Sequence, residues 1–261
     1  MDRIIAIASA ELLNMRADHR IERDLPPDGR PGDLAEAYRI QEAVVDGLLP
    51  AGARRIGYKC ACTSEIAQRA LRIDRPVFGQ LLSHTSSASG VVLPADRFVH
   101  RVIEAEFGFR LGRDVEPLAG GHTIESIADH IDAVIPAIEI VDYRYESWTI
   151  GALQVAADNA IHGWWVHGEP VLDWRNLALA DVRATVRRDG HVVTAGSGAA
   201  VLGHPLTVMA WLANELPLFG RSLNAGDLVT TGVTTDVFEA EAGDSIIAEF
   251  DGIGSVTVGF G

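Results

Sequence analysis

The chain has 261 residues, of which 36 are acidic and 22 basic, so its formal charge at pH 7 is −14. This balance argues against a surface for nucleic acid or for anionic membranes, because phosphate contacts require clustered lysine and arginine. No run of about 18 apolar residues occurs, which argues against a membrane span, while a hydrophobic content of 48% is enough to build a sizeable core.

Lysine and cysteine are both rare in this chain. Lys59 is the only lysine, so 21 of the 22 basic residues are arginine, and the only cysteines are Cys60 and Cys62. Two cysteines this close in a strand do not suit a disulfide, and there is no second pair to complete a zinc site. The first residues lack the basic start and long apolar stretch of a signal peptide. We therefore expect a cytoplasmic protein whose cysteines are small core residues rather than nucleophiles.

The N-terminal part of the chain is predicted to be helical. Residues 4–19 carry one apolar stripe, and the proline- and glycine-rich segment 24–33 interrupts it. Asp33 followed by Glu36 resembles a capping box, which opens a second helix. We expect residues 1–54 to form a helical extension that packs on a larger domain.

From residue 55 onward the pattern is that of a β-rich α+β domain. Residues 102–111 alternate strictly in polarity, and Asp189-Gly190 between two short runs predicts a hairpin. The clearest helix has proline near its start and glycine past its end. Short apolar runs between Gly-Asp turns in the last forty residues predict a β meander. Further strands are predicted at 56–62, 134–141 and 161–166, and helices at 64–71, 124–131 and 205–219.

Two carboxylates, Glu104 and Glu106, lie two residues apart in the predicted strand 102–111. Such residues share a face of the strand, with Cα atoms about 6.5 Å apart. Carboxylates this close repel each other unless something positive lies between them. A solvated strand face is the alternative interpretation, since charged surface positions are common.

Glu139 lies within the almost wholly apolar run VIPAIEIVD. An unpaired charge is costly to bury, so this carboxylate requires a partner. An ion pair with an arginine in the core would satisfy it. Alternatively, three converging carboxylates would suit a hard divalent cation such as Mg²⁺ or Mn²⁺. Spacing along the chain leaves both interpretations open.

Lys59 lies in the apolar strand IGYKCACTS. A buried ammonium can shift its pKa and exchange a proton, whereas a guanidinium cannot. A chain that otherwise uses arginine for positive charge has kept a lysine at this position. Chance retention is the alternative.

Six motifs, in a fixed order, resemble the hydratase/decarboxylase branch of the fumarylacetoacetate hydrolase superfamily: IGYKCACTS, RVIEAEFGFRLG, VIPAIEIVDYRY, ADNA, LGHPLTVMAWLAN and LNAGDLVTTG. The resemblance covers residues 35–260. It implies an α+β, β-rich fumarylacetoacetate hydrolase-like mixed β fold with flanking helices. Residues 55–261 would then be the catalytic domain and residues 1–54 its N-terminal helical extension. The implied activity is that of a metal-dependent lyase acting on 2-oxo or 2-hydroxydienoic acids of catechol meta-cleavage degradation.

The same resemblance implies which residues form the site. The active-site lysine of the family is matched by Lys59. Asp158, in ADNA, and Thr231, in TTG, match segments that line or support the substrate pocket. The metal-binding carboxylates of the family, which would hold Mg²⁺ or Mn²⁺, are matched by Glu104, Glu106 and Glu139.

The segment after the lysine motif distinguishes the two activities of this branch. Hydratases usually carry Pro-Asp-(Phe/Tyr)-Gly there, with the aspartate implicated in activating water, whereas here Val77 replaces the acid. Decarboxylases resemble this chain more closely, with an aliphatic residue at that position. We therefore expect decarboxylation of 4-oxalocrotonate (2-oxo-3-hexenedioate) through a metal-stabilised dienolate. The alternative is a 2-keto-4-pentenoate (2-hydroxypentadienoate) hydratase that uses another base, such as Asp74.

The resemblance also bears on partners. Hydratases and decarboxylases of this branch associate, so a further alternative is a non-catalytic partner of a hydratase, although the intact glutamates and Lys59 argue against a degenerate copy. We expect a homo-oligomer, and a complex with a partner hydratase or decarboxylase stays open. Arg144 is a candidate for holding a second substrate carboxylate, with a structural ion pair as the alternative.

Overall fold

The computed structural model describes residues 2–261, which contain six α-helices and thirteen strands. The helices are α1 (Arg3–Ala17), α2 (Leu34–Leu48), α3 (Glu65–Leu71), α4 (Ile124–Ala128), α5 (Ala152–Ala157) and α6 (Pro205–Glu215). The strands are β1 (Arg55–Ala61), β2 (Val77–Leu82), β3 (Ser86–Ala88), β4 (Val91–Leu93), β5 (Val102–Leu111), β6 (Ile131–Val141), β7 (His162–His167), β8 (Arg183–Arg188), β9 (His191–Ser197), β10 (Leu228–Val233), β11 (Phe238–Glu239), β12 (Ser245–Phe250) and β13 (Gly254–Phe260). None of the helices in this part of the chain is long and apolar enough to cross a membrane.

The strands form two sheets that share one hydrophobic core. The larger sheet has the order β2-β1-β10-β5-β6-β7-β3, with β11 added beside β5, and the smaller has the order β4-β13-β12-β8-β9. Phe107 of β5 contacts Phe250 of β12, with ring centroids 5.2 Å apart. Because successive residues of a strand point to opposite faces, this contact directs Glu104 and Glu106 to the other face of the larger sheet.

Local signals account for most of the element boundaries. Asp33 Oδ1 accepts a hydrogen bond from the Glu36 backbone N–H (2.8 Å), as expected of a helix N-cap, but the Glu36 carboxylate accepts from the backbone N–H of Gly32 rather than of Asp33. Asp189 and Gly190 have positive φ (50° and 81°) and join β8 to β9, which confirms the predicted hairpin.

Two expectations about secondary structure are wrong. The predicted helix 124–131 ends at Ala128, because Ile131 already begins β6. The last forty residues do not form a meander. β10 lies between β1 and β5 in the larger sheet, whereas β12 and β13 belong to the smaller one. β10 is buried on both faces, as a central strand must be. Its place in the sheet is therefore decided by burial and not by its position along the chain.

The N-terminal helices pack directly on the sheet domain. Apolar residues of α1, such as Leu12 and Met15, belong to the same core cluster as β5. Gln41 of α2 is buried, and its Nε2 donates hydrogen bonds to the carbonyls of Phe78 (2.8 Å) and Ala156 (2.7 Å). The core is therefore continuous across residue 54, and the division of the chain at that point stays a prediction.

Candidate active site

Three strands, β1, β5 and β6, carry Lys59 and the three glutamates on one face of the larger sheet, called here the inner face. Glu104 of β5 is directly paired with Glu139 of β6, and Lys59 of β1 with Thr230 of β10, which in turn lies beside β5. Paired residues on neighbouring strands share a face. One carboxylate oxygen of each of Glu104, Glu106 and Glu139 lies within 4.8 Å of the other two.

Glu106 is completely buried and only half satisfied by protein groups. Its Oε2 accepts hydrogen bonds from the hydroxyl of Thr230 and from the backbone N–H of Gly232 (3.0 Å), whereas its Oε1 has no partner in the described part of the chain. Burial, together with the negative charges of Glu139 and Glu104, raises the pKa of Glu106 well above its ordinary value.

Glu139 is also completely buried, but it has two positive or donating neighbours. His162 Nδ1 lies 2.9 Å from Oε1, and Lys59 Nζ lies 3.0 Å from Oε2 as an ion pair without hydrogen-bond alignment. Burial alone would raise the pKa of Glu139, but the charge of Lys59 and the bond from His162 outweigh it and lower the pKa. Burial lowers the pKa of His162, so the neutral ring must carry its proton on Nδ1 to donate to Glu139.

Lys59 is 1% exposed and is held on two sides. Its Nζ donates a hydrogen bond to the Ala160 carbonyl (3.1 Å) and contacts Glu139. Burial favours the neutral amine, but the carboxylates of Glu139, Glu104 and Glu106 outweigh it and raise the pKa of Lys59. The side chain is therefore an ammonium at neutral pH.

The chemistry of this cluster fits a hard divalent cation. Two oxygens, Glu106 Oε1 and Glu139 Oε2, are buried without a hydrogen-bond partner, and Glu104 is partly exposed at the edge of the cluster. Three carboxylates facing one ammonium leave an excess of negative charge, which Mg²⁺ or Mn²⁺ would balance with oxygen ligands. A solvated strand face is therefore the wrong interpretation of Glu106, and Glu139 is paired with Lys59 rather than with an arginine.

The 158–161 segment covers the inner face beside Lys59. Asn159 pairs with the backbone of Gln80 in β2: its Oδ1 accepts from the N–H (2.7 Å) and its Nδ2 donates to the carbonyl (3.0 Å). Three consecutive residues of the segment have positive φ (52°, 51° and 53°), a conformation that non-glycine residues rarely adopt. A Cβ on Gly79 would lie 2.4 Å from the Asn159 carbonyl oxygen, so only glycine permits this approach.

Comparison with known proteins identifies the family. The profile described as fumarylacetoacetate (FAA) hydrolase C-terminal matches residues 62–260. The chain belongs to the fumarylacetoacetate hydrolase family. The resemblance inferred from the motifs is thereby confirmed.

Curated relatives in this family carry both of the expected activities. A 2-keto-4-pentenoate hydratase from Paraburkholderia xenovorans (strain LB400) is 34% identical over 238 residues, covering 91% of this chain and 87% of the relative. A 4-oxalocrotonate decarboxylase from Pseudomonas putida is 32% identical over 243 residues, covering 93% and 89%. The predicted enzyme class, a lyase of the hydratase or decarboxylase kind, is confirmed.

A solved structure of this family matches almost the whole chain. The 4-oxalocrotonate decarboxylase from Pseudomonas putida G7, complexed with magnesium and adipate, has a TM-score of 0.92 at 28% identity, covering 99% of this chain and 97% of that one. The match confirms the predicted fumarylacetoacetate hydrolase-like fold, including its helical N-terminus. The magnesium of that relative and the carboxylate cluster of this chain together support Mg²⁺ as the cofactor.

The two remaining predicted site residues lie outside the cluster. Asp158, the first residue of the 158–161 segment, is buried, and its Oδ1 accepts hydrogen bonds from Arg16 Nη2 (2.7 Å) and Nε (2.9 Å). Arg16 Nη1 also donates to the His162 carbonyl (3.2 Å), so α1 holds the segment at both ends. Thr231 donates to the Phe107 carbonyl (3.2 Å), on the opposite face of β10 from the glutamates. Their predicted role in substrate binding stays a prediction, and the geometry of both residues is that of support.

Several residues around the site were not expected from the sequence. Thr230, Gly232, His162 and Arg16 all contact the cluster or the segment that covers it. In the sequence, His162 is distinguished only as a polar residue at the start of the predicted strand 161–166. Since these contacts join residues that are distant along the chain, the local pattern of polar and apolar residues does not predict them.

The cysteines and Arg144 have structural roles. Cys60 and Cys62 are buried free thiols, as expected, and burial raises the pKa of the Cys62 thiol to about 12. This makes the thiolate nucleophile inaccessible at neutral pH. Arg144 pairs with the Asp142 carboxylate through Nη2 and donates to the Asp142 carbonyl (2.7 Å). Of the two alternatives for Arg144, a contact to substrate or a structural ion pair, this geometry is that of the ion pair.

Proposed function

We propose that this chain is a Mg²⁺-dependent lyase of 2-oxo acids that decarboxylates 4-oxalocrotonate. The observation that carries this choice is the placement of Val77. It is buried in β2 opposite Ala61, and β2 pairs Gly79 with Lys59 two residues away, so Val77 faces the same side of the sheet as Lys59. By the resemblance, an aliphatic side chain thus stands at the position where hydratases of this family usually carry the aspartate implicated in activating water.

The three glutamates would hold the metal ion. A divalent cation held there would supply Lewis-acid stabilisation of the negative charge that develops on a 2-oxo acid as CO₂ leaves. Glu106 is oriented for this by Thr230 and Gly232, and Glu139 by His162. Supporting donors of this kind fix the direction of ligand oxygens and strengthen metal binding.

Lys59 would serve the substrate directly. An ammonium has three hydrogens to donate, of which one is taken by the Ala160 carbonyl and one faces Glu139. The third remains for a substrate oxygen or for protonation of the product carbon. The 158–161 segment keeps Nζ in place and excludes water from that side.

Hydration of 2-keto-4-pentenoate is the second candidate, because the hydratase from Paraburkholderia xenovorans is a relative over nearly the whole chain. Asp74 does not supply the missing base in this geometry. Its side chain is 82% exposed and pairs with Arg75 Nε at 3.0 Å. A hydratase activity would therefore need a base from elsewhere.

Two assays on the same preparation separate the candidates. With Mg²⁺ present, 4-oxalocrotonate should release CO₂, and 2-hydroxypenta-2,4-dienoate should not gain water at a comparable rate. Glu106→Gln should abolish the release, whereas Glu116→Gln, which alters an exposed carboxylate remote from the cluster, should not. Water addition without CO₂ release would decide for the hydratase.

Assembly and location follow as further parts of this proposal. We expect the chain to act in the cytoplasm as a homo-oligomer, by resemblance to the family, and to accept a hydratase as a partner. Light scattering of the purified chain, alone and mixed with such a hydratase, tests both associations. A purely non-catalytic partner would bind no Mg²⁺, which calorimetry would reveal.

A further inference from the structure

A cavity lies between α1 and the start of β7, on the far side of His162 from the glutamates. Its volume is ≈ 560 Å³, which suits a small-molecule ligand. None of the three glutamates lines it, and neither does Lys59. His162 separates the two sites, since its Nδ1 contacts Glu139 while its Nε2 lies 3.4 Å from Thr85 Oγ1 in the cavity wall.

Three arginines line this cavity, which is called the arginine cavity below: Arg16, Arg97 and Arg144. Two of them are neutralised, because Arg16 pairs with Asp158 and Arg144 with Asp142. Arg97 is exposed and has no carboxylate partner within residues 2–261. It stacks on the Trp164 ring, with its guanidinium carbon 4.5 Å from the ring centroid. The wall therefore carries one positive charge in excess.

Donors at the wall also lack partners. Arg144 is 5% exposed, and its Nε has no hydrogen-bond partner in the described part of the chain; the same holds for His84 Nδ1. Burial, then the charge of Arg16, lowers the pKa of Arg144. Burial, then the charge of Arg97, lowers the pKa of His84. Positive groups thus crowd one another here, and a bound anion would relieve the repulsion between them.

We propose that the arginine cavity binds a small oxyanion of the carboxylate or phosphate class, separate from the metal centre. Arg97 provides the principal contact, because its guanidinium is not committed to a carboxylate and its planar fork matches two oxygens at once. Arg16 and Arg144, each paired with an aspartate, line the cavity beside it. The exposed side chains of Asn14 and His19 lie at the solvent side of the cavity, which leaves a path for the ligand.

Calorimetric titration of the Mg²⁺-loaded full chain tests this site, with sulfate as the probe for a phosphate-like group and succinate as the probe for carboxylates. We expect one of them to bind, and Arg97→Gln to weaken that binding at least about tenfold, equivalent to about 1.4 kcal/mol. The matched control is Arg113→Gln, which removes an exposed arginine that has no ion pair in residues 2–261 and lies at the opposite end of β5 from Glu104. It should leave the affinity unchanged.

Further variants make the result decisive. Arg97→Lys keeps the charge without the fork, so its affinity should lie between those of the wild type and Arg97→Gln. Glu106→Gln should retain anion binding, since the metal centre is not involved. The proposal is overturned if neither probe binds at millimolar concentration, if Arg97→Gln behaves like Arg113→Gln, or if Glu106→Gln abolishes binding. Failure of CO₂ release in the wild type would refute the proposed function and leave this titration unaffected.

Discussion

Lys59 Nζ lies 3.0 Å from Glu139 Oε2, and neither side chain is more than 1% exposed. The pair is the only salt bridge within residues 2–261 in which both side chains are this deeply buried. Removing charges from water is costly, so such a pair is weak evidence of stabilisation and stronger evidence of a role that requires both charges. Here the charged pair forms one wall of the proposed metal centre.

Exchange of Lys59 for arginine tests whether that role is charge alone. Lys59→Arg keeps the charge but replaces a compact ammonium by a larger fork that cannot release a proton. We expect CO₂ release to fall at least about 100-fold, the lower end of what a positioned acid contributes. Thermal melting should show the fold retained.

Two comparison variants interpret that result. Lys59→Met leaves the charge of Glu139 buried without a positively charged partner and should reduce the free energy of unfolding by about 3–5 kcal/mol. Arg113→Lys exchanges the same two residue types in the reverse direction, on the surface, and should leave the rate of CO₂ release unchanged. A near-normal rate in Lys59→Arg would show that a positive charge is sufficient.

The cluster should make stability depend on pH when divalent metal is chelated. Burial and neighbouring charges raise the pKa values of Glu106 and Glu104 above 4.5 in the folded protein, so the folded form binds more protons than the unfolded form above that pH. The contribution of these two carboxylates to the free energy of unfolding must then decrease as pH rises from about 4.5. The lowered pKa of Glu139 acts in the opposite direction only below that value, and the lowered pKa of His162 does so below 6.5. The raised pKa of Lys59 acts in the same direction as the two glutamates, but only above 10.5.

Melting temperatures measured from about pH 5 to pH 8, with chelator and with Mg²⁺, check this prediction. Because metal replaces protons on the carboxylates, stabilisation by Mg²⁺ should grow with pH. Glu106→Gln should flatten the pH dependence of the chelated protein. Equal stabilisation by Mg²⁺ at both ends of the range would mean that the ion binds elsewhere.

The buried pair of Arg16 and Asp158 should anchor the 158–161 segment. Arg16→Met leaves Asp158 buried without a partner, and we expect the free energy of unfolding to fall by about 3–5 kcal/mol in denaturant titrations. Adding Asp158→Asn should recover part of this loss, since the two effects are coupled. Arg3→Met, on the same helix, breaks an exposed pair with Asp28 and should cost less than about 1 kcal/mol. Equal losses in both arginine variants would contradict the anchoring role.

Gly79 should be intolerant of even one added methyl group. Gly79→Ala places a Cβ 2.4 Å from the Asn159 carbonyl oxygen, so the segment that holds Lys59 must move. We expect a loss of about 1–3 kcal/mol in stability and a larger relative loss of CO₂ release. Gly259→Ala in β13 meets its nearest neighbour, Val92, at an ordinary 3.4 Å and should change neither. An active, stable Gly79→Ala protein would show that the segment is not required in this position.

Local patterns were sufficient for several elements and for the principal residues of the site. Strict alternation predicted β5 at its observed bounds, and Asp189-Gly190 predicted the hairpin between β8 and β9. Lys59 and the three glutamates were predicted by motif order, and the structure brings all four together. The motif did not indicate which threonine faces the glutamates. Adjacent strand residues face opposite sides, so the hydroxyl that reaches Glu106 belongs to Thr230, whereas Thr231 donates to the Phe107 carbonyl.

The sequence by itself determined the family, the strand that carries Glu104 and Glu106, and the presence of Val77 in place of an acid. Each of these inferences depends only on residues that are consecutive in the chain. Only the tertiary structure decided which charges meet. His162 reaches Glu139 across 23 positions, and Arg16 reaches Asp158 across 142. Such contacts depend on how β10 is inserted between β1 and β5 and on how α1 packs over the sheet. Both arrangements are governed by the burial of whole faces, and no short segment of the chain determines how a whole face is buried.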